Sequence, residues 1–189
     1  MLTLVMYMKN DLPIRKSLRI PDYDYSTPGA YFITFCTHNR KNTLSHIVGA
    51  IHESPVSQLT PFGIILDTVI QNLPPHLQIS VDQYVIMPNH VHLILFVTED
   101  DHNRSIHESP LHGRSLISKA VGYIKMNASK EIRKQFGDIS VWQRGYHDHV
   151  IRNQNDYDMI AKYILENPLR WELDQLYSKE EAGWCAGDS

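Results

Sequence analysis

The amino-acid sequence predicts one α+β domain built around an antiparallel sheet. Its 189 residues, 42% of them hydrophobic, suffice for a single ordinary core. Short runs of β-branched and aromatic residues predict strands, and runs with apolar residues every three or four positions predict helices. In chain order these segments are strand, helix, strand, strand, helix, strand, helix. That order is typical of a ferredoxin-like, RRM-like sandwich with helices on one face of the sheet and an extra C-terminal helix.

The four strands are predicted from their hydrophobic patterns. Residues 31–38, with the sequence YFITFCTH, form the first strand. Residues 77–88 and 90–97 form the next two. A Pro-Asn turn signal between them indicates either an antiparallel pair or one long bent strand. Residues 149–152 predict a short fourth strand.

The helices are predicted from four-residue apolar spacing and from their end signals. A threonine followed by a proline begins the first helix, residues 61–73, and two consecutive prolines end it. Residues 115–135 form the second helix, with an apolar face and lysine-rich polar faces. Residues 156–167 form the third helix, which ends before Pro168.

Composition divides the chain into three segments. Residues 1–29 form a basic arm, residues 30–171 hold every predicted element, and residues 172–189 form an acidic tail. The pentapeptide IHESP occurs at Ile51–Pro55 and again at Ile106–Pro110. Both copies are interpreted as loop insertions, because their length is far below a solenoid period and no further metal ligand clusters with their histidines.

Charge and cysteine content exclude several classes of protein. Lys and Arg number 18 against 21 Asp and Glu, a net charge of −3, so any anionic partner must be bound by a local patch. The two cysteines form neither a disulfide framework nor a zinc-finger pattern, which favours a reducing compartment. The apolar start of eight residues is too short for a membrane span. We therefore expect a cytoplasmic protein without a membrane partner.

Two histidines, His90 and His92, interrupt the most apolar predicted strand. Because strand side chains alternate, both imidazoles point to one face and offer two nitrogen ligands to a metal ion. The alternative is a pair of ordinary hydrogen-bonded histidines in the core or on a half-exposed sheet. The pair alone does not decide between the two interpretations.

The last predicted helix supplies a second pair of functional residues. Tyr163 and Asn167 are four residues apart and therefore share one face of this helix. An amide oxygen added to two imidazoles suits Mg²⁺, Mn²⁺ or Zn²⁺ and leaves open positions for phosphate oxygens. A nearby phenol could then attack a phosphodiester. Taken alone, Tyr163 is more typical of a tyrosine that packs against the core. Tyr123 is an alternative nucleophile, but no candidate metal ligand follows it four residues later in the chain.

Four motifs together resemble those of REP-associated tyrosine transposases, relatives of the single-tyrosine transposases of small insertion sequences in the HUH endonuclease superfamily. The motifs are YVIMPNHVHLIL, SLISKAVGYIK, VWQRGYHDHVIRN and YILENPLRW, and the resemblance spans about residues 19–171. It implies an HUH motif on a central strand, with His90 and His92 as metal ligands. It also implies an extra C-terminal catalytic helix that carries the third ligand, Asn167, and the nucleophile, Tyr163.

The same resemblance implies a reaction and its partners. Members of this group cleave single-stranded DNA at hairpin-forming, palindromic repeats, with Mg²⁺ or Mn²⁺ as cofactor. The products are a 5′-phosphotyrosine linkage and a free 3′-hydroxyl, and the covalent bond retains the energy needed to rejoin DNA without ATP. A homodimer is one expected state and a monomer the other, and the DNA partner implies association with the nucleoid.

The DNA-binding surface must be local in a chain of net negative charge. Between Arg114 and Arg152, eight Lys and Arg residues stand against three acidic residues. An aromatic residue in this segment adds a stacking surface for unpaired bases. The alternative is that the lysines simply form a solvated helix face. The predicted DNA-binding residues are Arg15, Arg19, Arg114, Lys119, Lys125, Trp142 and Arg144.

Two further classes of function stay open on the sequence. A domesticated, non-catalytic protein that binds DNA hairpins would keep the fold without turnover. A metallohydrolase would use the histidine pair and attack with water instead of tyrosine.

Overall fold

A computed structural model describes residues 27–49, 55–98 and 115–179 of the chain. Within these residues, three short 3₁₀ segments, His38–Arg40, Pro75–Leu77 and Pro168–Leu173, connect longer elements. The longer elements, in chain order, are β1 Gly29–Cys36, β2 Ser45–Val48, β3 Val56–Leu59, α1 Pro61–Gln71, β4 Ile79–Ile86, β5 His90–Val97, α2 Leu116–Phe136, β6 His147–Ile151 and α3 Gln154–Glu166.

The order of the strands places β5 inside the main sheet. β5 pairs along its whole length with β1, from Val97 opposite Gly29 to His90 opposite Cys36. β4 lies on the other side of β5, and β6 lies beyond β1, so that the order is β4-β5-β1-β6 with antiparallel neighbours throughout. The predicted α+β class with a ferredoxin-like antiparallel sheet is confirmed. The Pro-Asn turn joins an antiparallel pair, not one bent strand.

Helices cover the two faces of this sheet unequally. On one face, Leu93 of β5, Leu66 of α1 and Ile124 of α2 belong to a single large apolar cluster. On the other face, α3 buries only Ile164 of its own residues, next to Ile94 of β5. The alternation of β5 therefore points its odd-numbered side chains into the main core and its even-numbered side chains towards α3.

Capping residues account for the small shifts of helix ends relative to the sequence-based prediction. The side chain of Asn153 accepts a hydrogen bond from the amide of Asp156 at 2.9 Å, so α3 begins at Gln154, two residues before the predicted start. Asn72 departs from helical dihedrals, and α1 therefore ends at Gln71, before the predicted residue 73. Among the strands, β6 begins at His147, two residues before the predicted start.

The hairpin of β2 and β3 was not anticipated, because strands of four residues are too short for alternation to be recognised. α1 packs closely against the chain just before this hairpin. A Cβ on Gly63 would lie 2.1 Å from the carbonyl oxygen of Leu44, so only glycine fits there. Of the first IHESP copy only Pro55 belongs to the described residues, and the second copy lies outside them.

The ends of the chain are described in part. The predicted basic arm, residues 1–29, lies outside the described residues except for its last three. The predicted acidic tail is described as far as residue 179. Among the described helices, none combines the length and the apolar character that crossing a membrane requires.

Candidate functional site

Two buried histidines form the centre of the candidate site. His90 and His92 lie at the start of β5, on the face that α3 covers, and are 0% and 3% exposed. Their ring centroids are 4.5 Å apart. The sheet therefore brings the predicted imidazole pair to one face, out of contact with bulk water.

Hydrogen bonds fix the orientation of both imidazoles. Nδ2 of Asn89 donates to the carbonyl oxygens of Arg40 at 3.2 Å and Leu176 at 2.8 Å, which leaves Oδ1 of Asn89 to accept from Nδ1 of His90 at 2.8 Å. Nδ1 of His92 lies 2.7 Å from Oγ1 of Thr34 on the neighbouring strand. With Nδ1 of each ring engaged, Nε2 is the atom each imidazole presents to the space under α3.

α3 brings the second predicted pair to the same place. The phenolic oxygen of Tyr163 lies 3.2 Å from Nε2 of His92 and their rings are in contact. Asn167 follows the last residue of α3, is 1% exposed, and its Oδ1 atom is buried without a hydrogen-bond partner. The four residues singled out on the sequence therefore lie together within one chain.

A fifth residue, Asp174, also reaches this space, and the sequence analysis did not single it out. Pro168 begins a 3₁₀ segment that turns the chain back over the sheet, so that Trp171 contacts the ring of His90. Oδ2 of Asp174 accepts hydrogen bonds from Tyr163 at 3.0 Å and from Nδ2 of Asn167 at 3.1 Å. No periodic pattern marks this aspartate, and it is one of several acidic residues near the end of the chain.

These side chains are suited to a divalent metal ion. His90, His92 and Asp174 each offer one ligand atom, and the three atoms lie within 4.8 Å of one another. Nε2 of His90 and Oδ1 of Asn167 are buried without hydrogen-bond partners, a costly arrangement that a bound cation would relieve. Nitrogen and oxygen ligands of this kind accept Mn²⁺, Mg²⁺ or Zn²⁺.

The protonation states also suit metal binding. Burial lowers the pKa of His90 to about 4, so its imidazole is neutral near pH 7 and has a lone pair to donate. Burial, followed by the proximity of His90, lowers the pKa of His92 as well. Although burial acts to raise it, the pKa of Asp174 is lowered overall, because the Leu176 amide hydrogen-bonds the carboxylate.

Tyr163 is an uncharged phenol in this environment. Burial, together with the adjacent Asp174 carboxylate, raises the pKa of Tyr163 to about 12. The side chain is nevertheless 40% exposed, so one side of the phenol is open to an incoming molecule. Without a cation beside it, this phenol is therefore a weak nucleophile that solvent and ligands can reach.

Four of the seven predicted DNA-binding residues belong to the described residues. Lys119 and Arg144 are exposed. Lys125 is half-buried and donates to the carbonyl oxygens of Gln143 and Gly145 at 2.6 and 2.8 Å. Trp142 is half-buried as well, with its ring against Phe35 and its indole N–H donating to the Lys125 carbonyl at 2.9 Å. The remaining three predicted residues, Arg15, Arg19 and Arg114, lie outside the described residues.

Comparison with protein families gives a match over most of the chain. The family model described as "Transposase IS200 like" matches residues 28–167, which includes β1, α3 and both predicted pairs. An uncharacterized protein of Haemophilus influenzae is 34% identical over 172 residues, covering 86% of this chain and 93% of its own. The REP-associated tyrosine transposase of Escherichia coli is 25% identical over 150 residues, covering 77% of this chain and 70% of its own.

A solved structure has a similar fold. It is the structure of a REP-associated tyrosine transposase bound to a REP hairpin, with a TM-score of 0.54 and 22% sequence identity. The match covers 90% of this chain and 92% of the other. At this level of identity the likeness supports the fold.

Proposed function

Given that the chain belongs to the IS200-like transposase family, we propose that it cleaves and rejoins single-stranded DNA with Tyr163 as the nucleophile. The observation that supports this most directly is the position of the phenolic oxygen, 3.2 Å from Nε2 of His92. The hydroxyl lies between two groups suited to binding metal, His92 and Asp174.

We propose His90, His92 and Asn167 as metal ligands, with Asp174 as a further oxygen ligand. The two unpartnered atoms, Nε2 of His90 and Oδ1 of Asn167, support this assignment, and so does the short spacing of the His90, His92 and Asp174 ligand atoms. A divalent ion bound there, Mg²⁺ or Mn²⁺, would supply electrostatic stabilisation for the charge that develops on phosphorus.

The chemical step is a transesterification. The phenolic oxygen of Tyr163 forms a bond to phosphorus while the bond from phosphorus to the 3′ oxygen breaks. The phenol proton passes to the Asp174 carboxylate, which already accepts its hydrogen bond at 3.0 Å. The departing 3′ oxygen takes up a proton from solvent and becomes a free hydroxyl, and Asp174 releases its proton to solvent, so that no net proton is gained or lost. The 5′-phosphotyrosine bond can then be attacked by another 3′-hydroxyl, which rejoins the DNA and regenerates the phenol.

We propose that one chain suffices for this reaction. Tyr163 and Asn167 contact the groups around His90 and His92 of their own chain, so the nucleophile acts in cis without a residue from a second copy. A homodimer, if it forms, would then not be required to complete the site.

We propose hairpin-forming repeats as the substrate. The support is the family membership and the solved relative, which is bound to a REP hairpin. The DNA must be bound through local cationic groups, because the whole chain has a net charge of −3. Unpaired flanks of a hairpin would also allow the strand to enter the narrow space beside Tyr163.

Trapping of a covalent adduct tests this function. Labelled hairpin DNA with single-stranded flanks, incubated with Mg²⁺ or Mn²⁺, should yield a protein–DNA adduct that survives denaturation. Tyr163→Phe should abolish it, because the attacking oxygen is removed. Tyr123→Phe is the matched control: Tyr123 packs against the core from α2, and this variant should form the adduct at the wild-type rate.

Three other outcomes would contradict the proposal. An adduct that persists in Tyr163→Phe would place the nucleophile elsewhere. Free 5′-phosphate ends without any adduct would indicate a metallohydrolase. Hairpin binding without cleavage in either metal would indicate a non-catalytic DNA-binding protein.

A further inference from the structure

The turn that follows β1 has an uncommon backbone conformation. Asn39 and Arg40 adopt φ angles of 54° and 53°, in the left-handed region that residues other than glycine rarely occupy. Such a conformation costs free energy and persists only where surrounding contacts determine it.

Hydrogen bonds within the turn and from the site hold it. The Arg40 amide donates to the Thr37 carbonyl at 3.1 Å, and Oγ1 of Thr37 donates to the Lys41 carbonyl at 2.8 Å. Nδ2 of Asn89 donates to the Arg40 carbonyl at 3.2 Å, and the same amide group orients His90. The backbone of Arg40 is thus fixed relative to the candidate metal centre through one buried side chain.

The guanidinium of Arg40 is left available by this arrangement. The residue is exposed, and among residues 27–49, 55–98 and 115–179 its guanidinium forms neither an ion pair nor a hydrogen bond. Two other arginines of the fold are engaged: Arg133 pairs with Asp138, and Arg170 pairs with Glu166. Burial lowers the pKa of His90, and the positive charge of Arg40 lowers it further. Burial raises the pKa of the Cys36 thiol, and the same charge partly opposes that increase.

We propose that Arg40 binds a phosphate of the DNA strand that lies in the candidate site, next to the phosphate that Tyr163 attacks. This inference rests on the proposed function and adds a substrate contact to it. A guanidinium binds phosphate oxygens through two parallel hydrogen bonds, which a fixed backbone makes more favourable. Contacts to phosphate carry no sequence information, so Arg40 would set the position of the strand along the site and not the choice of repeat.

Salt-dependent binding of a single-stranded oligothymidylate tests this contact. The measurement uses the full chain with Tyr163→Phe in EDTA, so that neither cleavage nor metal contributes. Because one cation that neutralises one phosphate contributes about 0.7 to the slope of log affinity against log salt, Arg40→Gln should reduce the slope by about that amount. The affinity of this variant for the oligothymidylate should fall about tenfold at low salt, because one charge-assisted hydrogen-bonding group is lost.

Two matched variants separate the contact from general effects. Arg133→Gln removes the same charge from the end of α2, where Arg133 already pairs with Asp138, and should leave the slope unchanged. Arg40→Lys retains a positive charge and should restore most of the slope while losing the paired hydrogen bonds. Thermal unfolding of each variant should match that of the parent.

An Arg40→Gln variant with the slope of the parent would overturn the proposal. So would equal reductions for Arg40→Gln and Arg133→Gln, because the effect would then be one of total charge. The proposed function is tested separately by the adduct. If the covalent adduct forms normally and Arg40→Gln leaves the salt slope unchanged, only the Arg40 contact is contradicted. If no adduct forms and Arg40→Gln reduces the slope as expected, only the catalytic function is contradicted.

Discussion

The two faces of the main sheet are made by the same strands and differ in nearly every other respect. On the face covered by α1 and α2, β5 contributes Leu93 and Leu95, both fully buried in a large apolar cluster. On the face covered by α3, the same strand contributes His90 and His92, which are buried almost as completely. Equal burial thus has opposite energetic effects on the two faces, because apolar groups gain from it and polar groups without partners lose.

The comparison shows how this fold separates stability from function. Each unpartnered buried polar atom costs about 1–3 kcal/mol. Nε2 of His90 and Oδ1 of Asn167 are such atoms, and both are on the α3 side. The apolar face offsets this cost, so the candidate site can keep ligand atoms ready for a cation. Four changes test this separation of roles.

The largest effect is expected from a truncation in the apolar face. Leu95→Ala should lower the free energy of unfolding in urea by about 3 kcal/mol, because it leaves a cavity in a closed core. Leu165→Ala is the control on α3. Because this side chain is 78% exposed, its removal should change the free energy of unfolding by less than about 0.5 kcal/mol. Similar losses for the two variants would mean that α3 contributes to stability as much as the core does.

Metal binding at the face covered by α3 should stabilise the protein. Mn²⁺ at about one hundred times its dissociation constant should raise the free energy of unfolding by about 2.7 kcal/mol, measured as a higher melting temperature. His92→Gln should lose this increase. His149→Gln should keep it, because His149 is a surface residue of β6 that pairs with Asp156. An increase that persists without His92 would place the cation elsewhere.

An intermediate loss of stability is expected from removing the side chain of Asn89, which hydrogen-bonds His90 and the neighbouring turns. Asn89→Ala removes the side-chain partner of His90 and of two backbone carbonyls, and should destabilise the protein by about 2 kcal/mol. It should also weaken Mn²⁺ binding, measured by calorimetry. Asn127→Ala is the control: it removes one local hydrogen bond on α2 and should change neither stability nor Mn²⁺ binding appreciably. Loss of stability without any change in Mn²⁺ affinity would show that Asn89 does not orient His90.

The smallest effect on stability should accompany a change next to His92. Thr34→Val retains the shape of the side chain and removes the hydroxyl 2.7 Å from Nδ1 of His92. Because the buried Nδ1 atom is then left without this partner, the free energy of unfolding should fall by about 1 kcal/mol. Mn²⁺ affinity should fall about 10- to 100-fold, because the imidazole loses its orienting partner. Thr68→Val, which alters an exposed hydroxyl on α1, should leave the affinity unchanged.

Local patterns were sufficient to predict much of this arrangement. Alternation on β5 predicts that His90 and His92 share a face, and four-residue spacing predicts the same of Tyr163 and Asn167. The strand and helix order predicts the sheet. Each of these features depends on residues close together in the chain, where periodicity is informative.

Features that depend on tertiary contacts were not accessible in this way. Asp174 reaches the site only because the 3₁₀ segment after Pro168 folds back over His90. The turn at Arg40 depends on a hydrogen bond from Asn89, almost fifty residues away. Trp142, predicted as a stacking surface for unpaired bases, packs on Phe35 and donates its N–H to a backbone carbonyl. Pairings of this kind leave no periodic trace in the sequence.

The shallow seating of α3 has a consequence for the proposed reaction. This helix buries one residue, Ile164, whereas α2 buries seven. Lifting α3 from the sheet would therefore expose far less apolar surface than lifting α2. In the reaction we propose, a DNA end joined to Tyr163 would therefore move with a helix that is easier to displace than α2, while the histidines stay on a strand paired on both sides.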